Sequence, residues 1–275
     1  DLLAKKNQAP IYEMIGYKKS QPKIAYASVL FGRNPEETLK IASEIKQKKF
    51  KAVKFGWQDF GLDLDNDRDH LIAAREGLDK ETMLMVDVGA IWGSNIEKAF
   101  SRSGILKEAN ITWLEEPFYS DAFYEYSQLA KKSSLPLAGG ESCHSVESAK
   151  NMMRYGGVSF IQIDAGIVGG ILAGKEICDY AENNNIQYVN HTFTSHLQLS
   201  SSIQPYAGSI KSTLAEYPMQ LKSLAWDITN NHILVNDRGE LELPDKVGHG
   251  MEINLDSLIK YKVDVNIQID KKRIF

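Results

Sequence analysis

Seven polar residues recur along this chain at intervals that suit one another. Lys54, Asp87, Glu115, Glu141, Asp164, His191 and Glu216 follow each other at steps of 23 to 33 residues. Each closes a short β-forming or glycine-rich run: Ala52-Val53-Lys54, Met85-Val86-Asp87, Trp113-Leu114-Glu115, Gly139-Gly140-Glu141, Ile163-Asp164, Val189-Asn190-His191 and Leu214-Ala215-Glu216. Any one of these acids alone reads most simply as a helix N-cap or a solvated loop carboxylate. Brought to one level, they would repel each other unless a cation and a substrate balanced them. Asp87, Glu115 and Glu141 stand on three consecutive runs. An all-oxygen set suits a hard cation, and Mg²⁺, which keeps positions open for water and substrate, fits three protein carboxylates. Asp164 and His191 stand on adjoining runs. A carboxylate beside an imidazole fixes its tautomer and stabilises its protonated form, giving a base competent near neutral pH.

These residues need elements that bring them together. Strands are expected at Ile24–Leu30, Ala52–Gly56, Met83–Gly89, Ile111–Glu115, Leu135–Gly139, Phe160–Asp164, Gln187–Asn190 and Ser212–Glu216. Helical stretches lie between them, from Asn34 to about Lys48, then Asp67–Leu78, Asn95–Lys107, Ala122–Lys132, Val146–Tyr155, Gly169–Asn183 and Ser195–Ala207. The first has an N-cap in Asn34, proline at the first helical position and acid in the first turn. Alternating strands and helices imply parallel pairing with right-handed crossovers, and eight repeats imply an α/β barrel of the TIM type rather than an open sheet. No G-x-G-x-x-G follows the first strand, which argues against a dinucleotide-binding fold. In such barrels the C-terminal strand ends form the active mouth.

Side-chain alternation puts Trp113 and Glu115 on one face and turns Glu116 away, to pair or cap behind the mouth. His70, His144, His196, His232 and His249 fall on helices or loops and read mostly as surface or packing residues, though His144 and His196 could still reach the mouth. The tail after about Leu221 breaks the βα rhythm, with short strands expected at Ile233–Val235, Glu240–Leu243 and Met251–Ile253.

The 275 residues are 43% hydrophobic and 25% charged, ordinary for a globular chain and compatible with one barrel plus appendages. A net charge of -4 offers no basic surface for nucleic acid. No apolar run approaches the ~20 residues of a membrane span. The first residues lack the apolar core of a signal peptide, and Cys143 and Cys178 are too few for a disulfide framework. A cytoplasmic protein follows, with neither membrane nor nucleic-acid partner, and a homo-oligomer is expected.

The ordered set resembles the mandelate racemase subgroup of the enolase superfamily across essentially the whole chain. The resemblance rests on Ala52-Val53-Lys54, Met85-Val86-Asp87, Trp113-Leu114-Glu115-Glu116-Pro117, Gly140-Glu141, Asp164-Ala165-Gly166 with Gly169-Gly170, His191, and Glu216-Tyr217. It implies a modified (βα)7β barrel with a Mg²⁺ site at Asp87, Glu115 and Glu141 and a His191–Asp164 dyad as base. It further implies that Glu216 aids the substrate carboxylate, as hydrogen-bond donor or by its charge, and that Lys54 stands near that carboxylate as a positive charge. By the same resemblance, residues 1–20 end an α+β capping domain, 21–220 form the barrel and 221–275 return to the cap. The rest of the cap is absent from this sequence, so the natural protein is expected to be longer and this chain poorly active.

One departure bears on the reaction. Gly56 stands where the family has a second lysine, which leaves His191 without a partner base on the opposite face. A racemase or epimerase needs both. A dehydratase needs one, so syn-dehydration of a sugar acid to a 2-keto-3-deoxy acid is the leading expectation. A racemase with an unrecognised second base comes next, and a non-catalytic barrel that binds metal or sugar acid third.

Overall fold

A computed structural model describes residues 1–263, 268–270 and 272–273, so part of the C-terminal segment 221–275 lies outside the described residues. Eight parallel strands form the frame: β1 (Lys23–Leu30), β2 (Ala52–Gly56), β3 (Met83–Asp87), β4 (Ile111–Glu115), β5 (Leu137–Gly139), β6 (Phe160–Ile163), β7 (Gln187–Asn190) and β8 (Leu214–Pro218). Their hydrogen-bonded order runs β7-β6-β5-β4-β3-β2-β1-β8. Two short helices, α1 (Leu2–Lys6) and α2 (Ile11–Met14), precede β1. The outer ring comprises α3 (Pro35–Gln47), α4 (Leu64–Gly77), α5 (Ile96–Glu108), α6 (Phe123–Ser133), α7 (Val146–Asn151), α8 (Ile171–Asn183) and α9 (His196–Ile203).

The helices start where their caps demand. Asn34 accepts from the Glu37 N–H, Asn95 from Lys98, and Ser195 from Gln198, each satisfying an otherwise free first-turn donor. The expected helix from Ser195 to Ala207 changes at Gln204 to a 3₁₀ turn through Tyr206. Pro205 supplies no N–H for continued α-helical bonding.

The barrel interior is filled by Tyr26, Ala52, Met85, Trp113, Ala138, Phe160, Val189 and Leu214, one from each strand. Large and small side chains face each other in this layer, so it is a solid floor and not a pore. The rings of Tyr26 and Trp113 meet in a T-shaped contact at 5.5 Å between centroids. A second, larger cluster packs the outer faces of the strands against the helices.

No backbone ladder joins β7 to β8; the side chain of Asn190 closes that seam instead. Its Nδ2 donates to the Glu216 carbonyl at 3.3 Å, and its Oδ1 accepts from the Glu216 N–H at 3.0 Å and from the Tyr206 hydroxyl at 2.6 Å. The buried amide thus satisfies backbone groups that would otherwise be orphaned.

The tail departs from expectation. Of the three strands expected there, Glu240–Leu241 alone forms, as β9, antiparallel to the start of β1. Ile233–Val235 is not a strand, because the Ile233 N–H is taken by His196 Nδ1. Met251–Ile253 contributes a single bridge, Thr229 to Ile253. A short helix, α10 (Ser223–Asp227), lies between β8 and this tail. Residues 1–16 hold α1 and α2, separated before Pro10, which sits extended as the N-cap of α2. Among the described residues no helix is long and apolar enough to cross a membrane.

Candidate active site

Strand parity decides which side chains enter the mouth. Ala52, Met85, Trp113, Val189 and Leu214 fill the floor, so the residues two further on, Lys54, Asp87, Glu115, His191 and Glu216, stand on the same inner face one step higher. Gln162 and Asp164 continue Phe160 in the same way. Glu141 breaks the parity, lying three residues after Ala138. Gly140, at φ +118, makes the turn that re-aims it; a Cβ there would meet Ile161 Cδ1 at 2.7 Å and the Gln162 carbonyl oxygen at 3.0 Å.

Lys54 is the hub of the floor charges. Its buried ammonium donates to Glu115 Oε1, to Glu216 Oε1 at 2.9 Å, and lies 3.6 Å from Asp87 Oδ2. Burial alone would lower its pKa, but Glu115 and Glu216 hold it well above the usual lysine value. Lys54 is therefore a fixed cation turned into the carboxylates. Glu115 also accepts from Trp113 Nε1 at 2.8 Å. Burial still pushes its carboxyl upward against the pull of Lys54, with Asp87, Glu216 and Glu141 adding repulsion. Burial likewise favours the neutral form of Glu216, yet Lys54 and His191 hold it ionised, and Oε2 accepts from the Thr192 N–H at 2.6 Å. In this arrangement Glu216 accepts from Lys54 and from the Thr192 N–H.

His191 and Asp164 meet as expected, with Nδ1 3.0 Å from Asp164 Oδ2. Asp164 is held in turn by the Gly166 N–H at 2.7 Å and by Gln198 Nε2 at 2.6 Å. Burial works to raise Asp164, but the His191 hydrogen bond and these donors keep it below the usual carboxylate range. Burial works to lower His191, but Asp164, Glu216 and Glu141 lift it to about 9. With Nδ1 committed to Asp164, Nε2 is the free nitrogen, and it lies 3.3 Å from Glu141 Oε2.

Asp87 accepts from the Gly89 N–H at 2.9 Å and from Trp57 Nε1 at 3.2 Å. Asp87, Glu115 and Glu141 share the mouth without converging: among the described residues no three His, Cys, Asp or Glu side chains are grouped closely enough to hold a metal ion. Lys54 and His191 instead supply the countercharges. The donor set nevertheless suits a divalent cation in its chemistry. Burial and mutual repulsion raise both Glu115 and Glu141, a penalty that a cation would relieve.

Glu116 behaves as alternation requires. Its backbone is left-handed (φ +43), and Oε1 accepts from the Gly140 N–H at 2.9 Å behind the mouth. His144 is exposed and His196 is buried against the tail, edge-on to Trp226 and His232; neither lines the mouth. A cavity of about 710 Å³ opens above the floor, lined by Lys54, Asp87, Glu141, His191 and Glu216. It also involves Trp57, Phe193 and Lys222, which the sequence did not single out. They lie in turns after β2, β7 and β8, where no periodicity marks them.

Comparison with known proteins agrees with this fold. The family profile described as Enolase C-terminal domain-like matches residues 37–257. A crystal structure of a predicted mandelate racemase from Rhodobacter sphaeroides superposes with a TM-score of 0.94 at 42% identity, covering 100% of this chain and 71% of that one. D-galactarolactone cycloisomerase from Agrobacterium fabrum is 24% identical over 272 residues, 96% of this chain and 71% of the relative. Arabinonate dehydratase from Saccharolobus solfataricus is 24% identical over 267 residues, 95% of this chain and 69% of the relative.

Proposed function

The chain belongs to the enolase superfamily through its barrel-forming domain, and on that premise we propose that it is a carbon–oxygen lyase acting on a sugar acid. The observation that carries this is the His191–Asp164 pair, one base whose second nitrogen faces Glu141 in the mouth, while Gly56 on β2 offers no partner base. Gly56 has no side chain, and the nearest ammonium, Lys54, is locked among carboxylates. Proton removal is therefore one-sided, which suits elimination and not the two-base exchange of a racemase.

Asp164 holds the Nδ1–H, so His191 Nε2 takes the proton α to the substrate carboxylate. The C–H electron pair becomes the Cα–Cβ double bond as the Cβ–O bond breaks. The imidazolium returns its proton to the departing oxygen on the same face, and the enol tautomerises to a 2-keto-3-deoxy acid. A departing hydroxyl leaves as water; a departing ring ether oxygen stays attached as a new hydroxyl. Relatives named as a dehydratase and a cycloisomerase support this reading.

Asp87, Glu115 and Glu141 are the residues that would hold Mg²⁺. Bound there, it supplies positive charge beside the substrate carboxylate and so favours ionisation at Cα. Lys54 and Glu216 form the buried base of that wall and fix the charge balance beneath it.

The test is α-proton exchange in D₂O across a sugar-acid panel, followed by NMR. The wild type is expected to exchange and to release a 2-keto product, and His191→Asn to lose both. Exchange retained in His191→Asn would overturn the base assignment. Labelled substrate without keto product would indicate an epimerase, and Mg²⁺ binding without any exchange a non-catalytic barrel.

A further inference from the structure

One residue of the mouth has no part in that reaction. Trp57 directly follows β2, and its backbone is left-handed (φ +63), as is that of Gln58 (φ +57). A bulky residue there is strained, and such strain persists where the surroundings impose it, commonly at functional sites. The turn lays the indole against Gly89, where a Cβ would come within 3.2 Å of Cε2 and Nε1. The Nε1–H donates to Asp87 Oδ2, anchoring the ring edge. Yet Trp57 remains 56% exposed and lines the cavity. Phe193, 63% exposed, lines the same cavity from the turn after β7, its ring 5.2 Å from the His191 imidazole. Leu30 and Met219 add further apolar lining. Two large aromatic rings open to water beside a charged floor leave apolar surface that a ligand can cover.

We infer that Trp57, with Phe193, forms an aromatic wall that recognises the C–H face of a ring, so that the preferred substrate is a cyclic sugar acid. This deepens the proposed lyase reaction and rests on it for the carboxylate end of the ligand. The charged floor takes that end. A five- or six-membered ring presents several C–H bonds on one face and lies flat on an indole. An open polyol chain turns hydroxyls toward it and must immobilise several rotors on binding. The anchored Nε1–H keeps the wall in place, so the ring face meets a preformed surface.

The experiment is calorimetric titration, with Mg²⁺ present, of two inert carboxylates with equal heavy-atom counts: tetrahydrofuran-2-carboxylate and open-chain 2-ethoxypropanoate. The wild type is expected to bind the ring about fivefold or more tightly than the chain, a difference of the size aromatic contacts give. Trp57→Leu should bring the two within about twofold, Trp57→Phe should keep most of the preference, and Phe193→Leu should reduce it. Thermal melts establish that each variant is folded. Equal binding of both probes by the wild type, an unchanged preference in Trp57→Leu, or binding of neither would overturn the wall. Ring preference without α-proton exchange on any sugar acid would sink the lyase reaction and leave the wall standing. Exchange without ring preference would do the reverse.

Discussion

Gly56 stands directly opposite Asp87 in the β2–β3 ladder, and a Cβ at position 56 would lie 2.9 Å from Asp87 Cβ and 3.2 Å from Oδ2. The glycine therefore does more than omit a lysine: it makes room for the Asp87 carboxylate. Restoring a side chain should move Asp87 rather than add a base. Gly56→Ala and Gly56→Lys are each expected to weaken Mg²⁺ binding about tenfold or more, the scale seen when support of a ligand is disturbed. Neither should gain racemisation. A Gly56→Lys chain that binds Mg²⁺ normally and epimerises a sugar acid would refute this.

Asp164 holds His191 by its Nδ1 and carries two further restraints, from the Gly166 N–H and Gln198 Nε2. Asp164→Asn keeps the shape but removes the charge that stabilises the imidazolium. The α-proton exchange rate is expected to fall by about 10²–10⁴-fold, the range of general-base effects. The His191 pKa should drop from about 9, read directly by NMR of its ring protons. A rate loss with no change in that titration would show that Asp164 acts otherwise.

Glu141 faces His191 Nε2 at 3.3 Å and is also a candidate cation ligand. Imidazolium and Mg²⁺ therefore compete for one carboxylate. Saturating Mg²⁺ is expected to lower the His191 pKa from about 9, and a chelator to restore it. The general-base limb of the rate profile, which rises as His191 loses its proton, should then have its midpoint below about 9. An identical titration with and without Mg²⁺ would place the cation elsewhere.

His196 is fully buried, with Nδ1 accepting from the Ile233 N–H at 3.2 Å and Nε2 without a hydrogen-bond partner among the described residues. Burial, aided by His232, pushes its pKa down from 6.5 to about 4. Below pH 6.5 the unfolded chain takes up this proton while the folded chain does not. Stability contributed by neutral His196 is thus lost as pH falls from 6.5 toward 4, by about 3 kcal/mol in all. Denaturant melts across that window should show the fall, and His196→Gln should flatten it. Equal slopes in the two proteins would exclude His196 as the cause.

What the sequence alone determined is what depends on short-range periodicity. Strand alternation gave Lys54, Asp87, Glu115, His191 and Glu216 one inner face, and the βα period brought them to one mouth with Asp164 and Glu141. The Asn34 cap and the turning away of Glu116 were legible for the same local reasons. The tertiary structure decided the rest, because it depends on what meets across the barrel. Lys54 turns into Glu115 and Glu216 because buried charges choose rotamers by their neighbours from other strands. Asn190 closes the seam only because β8 arrives beside it, and His196 is drawn to the tail by Ile233. The seven charges foreseen at one mouth are there, but their countercharges, and the Trp57 indole against Asp87, follow from packing that no interval in the sequence encodes.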